Sequence, residues 1–499
     1  MKRIFTVRCN KIYIGLNNHR FLIRILYRNV SHLPCSSEIS LNLEKYMRAH
    51  LLLFSSILLP VFTPSHTQAQ SLPEMVATVV EYHPQIEVLE QAERVAEKDI
   101  SEQHSAYYPT LSVNATAGRM YADNSTSRGL SVTRGAGYSN LWDGTASLSQ
   151  TLYDGNERSS RVDASEARQK VAALQIVDKR ENMALKATRT YVNYIRAKTG
   201  YAMALAHQNK MNEYIDRITV LVDEGAAAET DLQQALDLSI LTTNFEIDFK
   251  GQLMAAEAEF MELTGNTPDK DVKLPESVSA LIPETGDVAI RVAENANAII
   301  RGAQKNSQAA RSDIDAERSG YFPDVKAELS YMKSEKDDLI GGEAVDARAV
   351  VKMNWSFETG GAQKARVQKK HLAHQQSLTQ IREAEKRVAA SVRLAYAEKE
   401  TAARQLKNKA KRVELNEKLF SIYEDQFEGA VVTLLQLMQA ENQLFSARLE
   451  HMNAKHRQLL SEYSILGTMG QLQKTLGLDL EVVPLSPEEM EQQASIEQQ

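Results

Sequence analysis

The chain has 499 residues and a formal charge of −7, with 25% charged and 6% aromatic residues. Glycine (22) and proline (12) are both scarce, which excludes a collagen-like or linker-dominated chain; so few rings over such a length favour an extended helical protein over one large globular core. The mild negative charge offers no footing for nucleic acid. Both cysteines, Cys9 and Cys35, lie in the first tenth of the chain, so the remainder holds no disulfide framework or cysteine metal site.

The one long apolar run, residues 51–62 (LLLFSSILLPVF), is too short to span a bilayer, which takes about 20 residues. Arg48 and His50 precede it, and Thr67-Gln-Ala69 follows with small residues at the −3 and −1 positions. Together these read as a signal peptide over 47–69, cut near Ala69. Met47 stands just before Arg48, so residues 1–46 read as an over-extended gene start, a long n-region being the alternative. After cleavage 49 basic and 63 acidic residues remain, net −14, with no cysteine. Such a chain is periplasmic or lies in the outer membrane.

The remainder repeats itself. Ser105-Ala-Tyr-Tyr-Pro109 resembles Ser319-Gly-Tyr-Phe-Pro323, Leu152-Tyr-Asp-Gly155 resembles Ser356-Phe-Glu-Thr-Gly360, and Glu224-Gly225 resembles Glu428-Gly429, at offsets of 214, 205 and 204. Two copies of one unit, 70–264 and 284–477, are joined by a proline-bearing linker (265–283) and followed by an acidic, Gln-rich tail (478–499). The first drop in offset places nine extra residues in the first copy, between its Pro and its Gly.

Each unit opens with a helix (72–106; 284–319) that stops before Pro109 or Pro323, the helix-to-strand junctions. Two alternating stretches follow. Leu111, Val113, Ala115 and Ala117, then Ala146, Leu148 and Leu152, share one face in the first copy. Val325, Ala327, Leu329 and Tyr331, then Val345 through Phe357 at every second position, do so in the second. Period two predicts strands with one apolar and one polar face. Polar loops are expected over 123–143 and 334–343. Runs of nearly 70 residues without proline (156–224; 361–428) predict helices roughly 100 Å long. Each ends at a glycine, Gly225 or Gly429, after which a second helix returns. Thr242, Phe249, Ala256 and Leu263, and likewise Met438, Phe445, Met452 and Leu459, recur at every seventh position, a coiled-coil period.

Four strands with opposed apolar and polar faces have no obvious covering layer. They cannot close a barrel alone, and open edges are not tolerated in lipid. Several chains each giving four strands would close an even-numbered outer-membrane barrel; a soluble β-layer capping a helical stalk is the alternative.

The repeated unit resembles the TolC family of outer-membrane export ducts over residues 72–477. The matching segments are Gln426-Phe-Glu-Gly429, Thr433-Leu-Leu-Gln-Leu-Met-Gln-Ala-Glu441, Asn442-Gln-Leu-Phe445, Asn453-Ala-Lys-His456 and Gly467-Thr-Met-Gly-Gln-Leu472, with Glu224-Gly225 through Asp231-Leu-Gln-Gln-Ala235 in the first copy. The C-terminal stretch most resembles the type I secretion and agglutination branch. The lipid-anchored multidrug branch has a cysteine after its signal peptide, where this chain has Gln70. The resemblance implies a mainly α fold with a membrane β-barrel portion: a homotrimer with a 12-stranded barrel on a 12-helix α-barrel tunnel, set in outer-membrane lipid. It implies a periplasmic adaptor (membrane fusion) protein and an inner-membrane ABC or other transporter as partners. Protein cargo is the first reading and a multidrug or small-molecule outlet the second.

By the same resemblance Gly225 and Gly429 mark the periplasmic tip, where the adaptor touches, and Asp231 helps hold the tip closed. The second copy departs from the pattern: Val432 stands where an arginine is usual, Gln436 and Gln439 stand where two aspartates ring the narrowest opening, and the loop reads as one residue longer (430–432). No Gly-rich phosphate loop, GxSxG or HExxH motif is present, so no catalysis and no cofactor are expected. His371 and His374 share a helical face without a third ligand pattern and read as solvated. A periplasmic coiled-coil adaptor is the remote alternative, since adaptors carry one hairpin rather than two.

Overall fold

The computed structural model describes residues 71–122, 137–269, 271–336 and 343–478. The expected signal peptide and start at Met47, both cysteines, part of each expected strand loop, and the tail from 479 onward lie outside the described residues. The first copy runs α1 (Leu72–Tyr82), α2 (Pro84–Ser105), β1 (Thr110–Ala122), β2 (Gly137–Tyr153), α3 (Glu157–Asp223) and α4 (Glu229–Thr264). The second runs α5 (Gly286–Ala296), α6 (Ala298–Arg318), β3 (Asp324–Lys336), β4 (Glu343–Asn354), α7 (Ala362–Glu428) and α8 (Leu434–Met469), and a single turn, α9 (Leu472–Thr475), follows. Leu72 and Thr110 correspond to Gly286 and Asp324 at the longer of the two main offsets, and Glu157 and Glu229 to Ala362 and Leu434 at the shorter. The extra residues of the first copy therefore fall between β1 and α3.

The opening helix of each copy is broken in two, where one continuous helix was expected. In the first copy Pro84 has no N–H to give, and His83 sits in extended backbone with Nδ1 accepting from Gln85 N at 3.2 Å. In the second copy no proline is present; Asn297 takes the same place and its Oδ1 accepts from Ile299 N at 2.9 Å.

The two longest helices, α3 and α7, have 67 residues each, roughly 100 Å. Their surroundings differ. α3 packs against α2 and α6 towards the strands and against α4 and α8 towards the hairpin turn. Twenty-five of its residues are buried, against eight in α7. Small side chains allow this close approach: Ala184, Ala187, Ala197 and Ala204 are fully buried, and a Cβ on Gly200 would stand 2.9 Å from the Phe249 ring of α4. Both heptad series are buried throughout, Thr242 to Leu263 on α4 and Met438 to Leu459 on α8, as the coiled-coil period predicts.

The four strands form one antiparallel sheet in chain order, so the β2–β3 pairing joins the two copies. Register places Val113 beside Ala146, Ala146 beside Tyr331, and Tyr331 beside Ala347, one apolar row across all four strands. The next row, Asn114, Thr145, Met332 and Asp346, starts the largely polar face, where Lys352 Nζ meets Glu328 Oε2 at 2.7 Å. Leu152 does not join the apolar row as expected: a bulge between Thr151 and Tyr153 puts Tyr153 opposite Val325 instead. β2 also begins at Gly137, inside the expected loop, because residues 137–143 continue the pairing with 116–122. Among the described residues no layer covers the apolar face: Leu111 is 68% and Met353 64% exposed. Among the described residues no helix is long and apolar enough to cross a membrane.

Candidate functional site

The two hairpin turns share one geometry but give its left-handed position to different residues. After α3, Gly225 has φ +76°; its N–H donates to Val222 O at 2.9 Å and Ala226 N donates to Leu221 O at 2.7 Å. After α7 the same two bonds run from Ala430 N to Phe427 O (3.0 Å) and from Val431 N to Gln426 O (2.8 Å). The left-handed residue there is Ala430, with φ +54°, while Gly429 has φ −78° and corresponds to Glu224. Both turns have the same length within this chain, so the 430–432 loop is no longer than its counterpart after α3. Pairing the two Glu-Gly dipeptides shifts the register by one.

α8 starts with a capping box. Thr433 Oγ1 accepts from Gln436 N (3.3 Å) and Gln436 Oε1 accepts from Thr433 N (3.0 Å). Gln436 is thus held by its own helix end; Gln439 is exposed on the same face, and Val432 is half-buried just before the cap. Asp231 holds on α4 the place that Gln436 holds on α8, and it favours the helix N-terminus electrostatically. Beneath them Met211, Tyr214 and Ile218 of α3 pack with Ala235 of α4 and Leu434 and Met438 of α8.

One turn further from the tip lies a polar set that no sequence spacing signals, with His207 and Glu441 buried and Lys210 partly exposed. Lys210 Nζ bonds Glu441 Oε2 at 2.8 Å, and the buried His207 ring stacks on Phe445, centroids 4.1 Å apart at 2°.

At the other end of the long helices, side chains hold the helix-to-strand junctions. Arg158 Nη1 donates to Ala106 O (3.4 Å) and Thr151 O (3.2 Å) near Pro109, and Gln363, its equivalent in the second copy, donates Nε2 to Glu317 O (2.5 Å) near Pro323. Exposed rings gather here: Tyr108, Tyr321, Phe322, Trp355 and Phe357. A second exposed group, Tyr121, Tyr138 and Trp142, stands at the far end of the sheet.

Midway along the helices the 265–283 linker crosses three of them. Tyr191 of α3 donates its hydroxyl to Lys273 O (3.0 Å), Tyr463 of α8 to Glu276 O (3.0 Å) and Tyr396 of α7 to Pro283 O (2.7 Å). Burial pushes the Tyr191 and Tyr463 phenols up to about 12. Glu462 accepts from Ser277 Oγ (2.6 Å), and Glu181 accepts from Leu472 N (2.5 Å), holding α9 to α3. Burial raises the Glu181 carboxyl above its ordinary range, against the lowering effect of the bonds it accepts.

α4 also carries a second, unpartnered heptad row: Ile240, Ile247, Met254 and Met261 are exposed, Ile240 by 62% and Met254 by 63%. Their equivalents on α8, aligned from the two helix starts, are Phe445, Met452, Leu459 and Leu466, all buried. α7 exposes Leu415, Leu419 and Ile422. His371 Nε2 lies 3.2 Å from Arg318 Nη2, and among the described residues no group of three His, Cys, Asp or Glu side chains could hold a metal.

The sequence model of the family described as outer membrane efflux protein matches residues 77–266 and 289–471. The outer membrane efflux protein BepC of Brucella suis biovar 1 (strain 1330) is 23% identical over 347 residues, 68% of this chain and 75% of its own. The outer membrane protein TolC of Escherichia coli (strain K12) is 20% identical over 424 residues, 82% of this chain and 84% of its own. The crystal structure of the Campylobacter jejuni CmeC outer membrane channel is similar in fold, with a TM-score of 0.69 at 13% identity, covering 85% of this chain and 89% of that one.

The unequal turns make opposite mutational predictions. Ala430→Gly removes a Cβ from left-handed backbone and is expected to stabilise its turn by about 1 kcal/mol, slowing amide exchange over residues 426–433 about five-fold. Gly225→Ala is expected to speed exchange over 221–228 by about as much.

Proposed function

The chain belongs to the outer membrane efflux protein family, and from that premise we propose that three copies close into one export duct. Members of this family are outer-membrane channels, not enzymes. The observation that carries the trimer is the duplication itself. Inside one chain, β2 pairs with β3, and α8 covers α3. The equivalent surfaces, β4 towards β1 and α4 towards α7, are left bare. A neighbouring copy supplies what each bare surface lacks, and a closed ring of three gives twelve strands and twelve tunnel helices. Barrel closure removes the open sheet edges. Apolar side chains then face lipid, and the two groups of exposed rings fall at the two membrane surfaces. The hairpin turns point into the periplasm, where Gly225 and the 429–430 turn meet a periplasmic adaptor fed by an inner-membrane transporter. Asp231, Val432, Gln436 and Gln439 line the constriction at that end.

Protein cargo of the type I secretion class is supported by the C-terminal motif that runs from Thr433 to Leu472. Small-molecule efflux is the second reading, favoured by the name of the Brucella relative.

The seam inside the chain specifies the seam between chains. Leu148 pairs with Leu329; carried over by the correspondence between the copies, Met353 pairs with Ala115 of the next chain. Ala115→Cys with Met353→Cys is expected to give covalently linked trimers on oxidation, and neither single variant is. Absence of cross-linked product from folded, membrane-extracted protein would overturn the arrangement. With Gln436 and Gln439 in place of carboxylates, planar-bilayer recordings are expected to show weak cation preference and little block by divalent ions; Gln436→Asp with Gln439→Asp is expected to raise both. Strong cation preference in the unaltered channel would place the constriction elsewhere. Deleting the gene is expected to remove a secreted polypeptide from the medium and leave drug susceptibility unchanged; the reverse outcome assigns the efflux reading.

A further inference from the structure

Passage through a duct makes no use of the polar set buried between α3 and α8. His207 is 4% exposed, and neither of its ring nitrogens has a hydrogen-bond partner. The ring lies flat on Phe445, with Nδ1 4.0 Å from Glu441 Oε1. The other oxygen of that carboxylate already takes the Lys210 ammonium. Oδ1 of the next residue, Asn442, is buried without a partner as well. α4 contributes the apolar Phe245, 6.1 Å from Phe445, and the neutral Thr243, 3.4 Å from Gln208. α7 contributes Phe420, whose ring lies 4.3 Å from Lys210 Nζ, and the Glu424 carboxylate, whose field reaches Tyr214.

We infer that His207 is a proton-operated latch: protonating it drives α8 off α3 just above the hairpin tip. Neutral, the ring fits a stacked apolar site. Charged, it would add a second cation beside Glu441, the carboxylate nearest the ring, which Lys210 already neutralises. A buried net charge of this kind is relieved by letting water in between the two helices. Burial pulls the ring down to about 4 against the raising effect of the neighbouring Asn442 side chain, and Lys210 adds to the lowering. The sign follows: the folded value lies below the ordinary one of about 6.5, so the contact keeps its full strength above that pH and weakens as pH falls towards 4. The equivalent position in the second copy is Arg412, so the bare α4–α7 surfaces carry no such latch. The consequence for passage rests on the duct reading; the latch itself does not.

Hydrogen exchange of the detergent-solubilised full chain tests it, with rates corrected for intrinsic pH dependence. Between pH about 7.5 and about 5, protection of residues 203–211 and 438–447 is expected to fall about ten-fold in the unaltered chain and not in His207→Gln. Unchanged protection in the unaltered chain, or an equal loss in His207→Gln, overturns the latch; the first comparison needs no variant. Bilayer recordings separate the two readings. Channels that conduct at neutral pH and are indifferent to acid overturn the latch's role in passage and keep the duct. A chain that conducts at no pH sinks the duct, and exchange still decides the latch.

Discussion

The structure depends on one helix, α3, having neighbours along its whole length. α3 is long, alternates small and large side chains at its contacts, and is flanked by partners from both copies of the repeat. A helix of 67 residues cannot bury a continuous face by itself. Here α2, α4, α6 and α8 each take part of its surface. The alanines and Gly200 let those neighbours come close enough for dispersion contacts along the whole length. α7 has the same length and start position in its copy, yet it stays bare along one side. The difference between the two is neighbourhood, not intrinsic helix-forming tendency.

Packing along such a seam fixes sideways spacing but only weakly fixes sliding along the axis. The linker does the latter. Its carbonyls at Lys273, Glu276 and Pro283 receive hydroxyls from three different helices, and Glu462 takes the intervening Ser277. These bonds sit among buried apolar side chains, where an unmade hydrogen bond is costly. The linker therefore acts as a strap that sets α3, α7 and α8 in register, and Glu181 ties the C-terminal turn to the same level.

Much of this is legible in the sequence. Period two names the strand faces, period seven names the buried rows of α4 and α8, and the missing prolines name the long helices. What is not legible has a physical reason in each case. The break at Asn297 needs no proline, because a side chain can cap a helix as well as a ring can stop one. The Gly429 register misleads because a left-handed alanine costs little enough to be tolerated at one turn. The Leu152 bulge depends on which strand lies alongside, which no local pattern encodes. Lys210 and Glu441 lie 231 positions apart in the chain, and only the helix pairing brings them and His207 together.

The constant offset between the tunnel helices of the two copies has a further consequence for a ring of duplicated chains. In the proposed ring of three its contacts would come in two kinds that alternate around the circle, three within chains and three between them. Duplication freed the two kinds to diverge. Where the inner kind holds Lys210 against Glu441, the outer kind offers Leu415 and Leu236, both exposed in the single chain. Six identical contacts would respond to any stimulus together. In that proposed ring, two chemistries in alternation would behave like an iris whose blades are hinged on one edge and free on the other: acid and salt would act on the first set, and apolar association would govern the second. Half of the aperture can then yield while the other half keeps the ring intact.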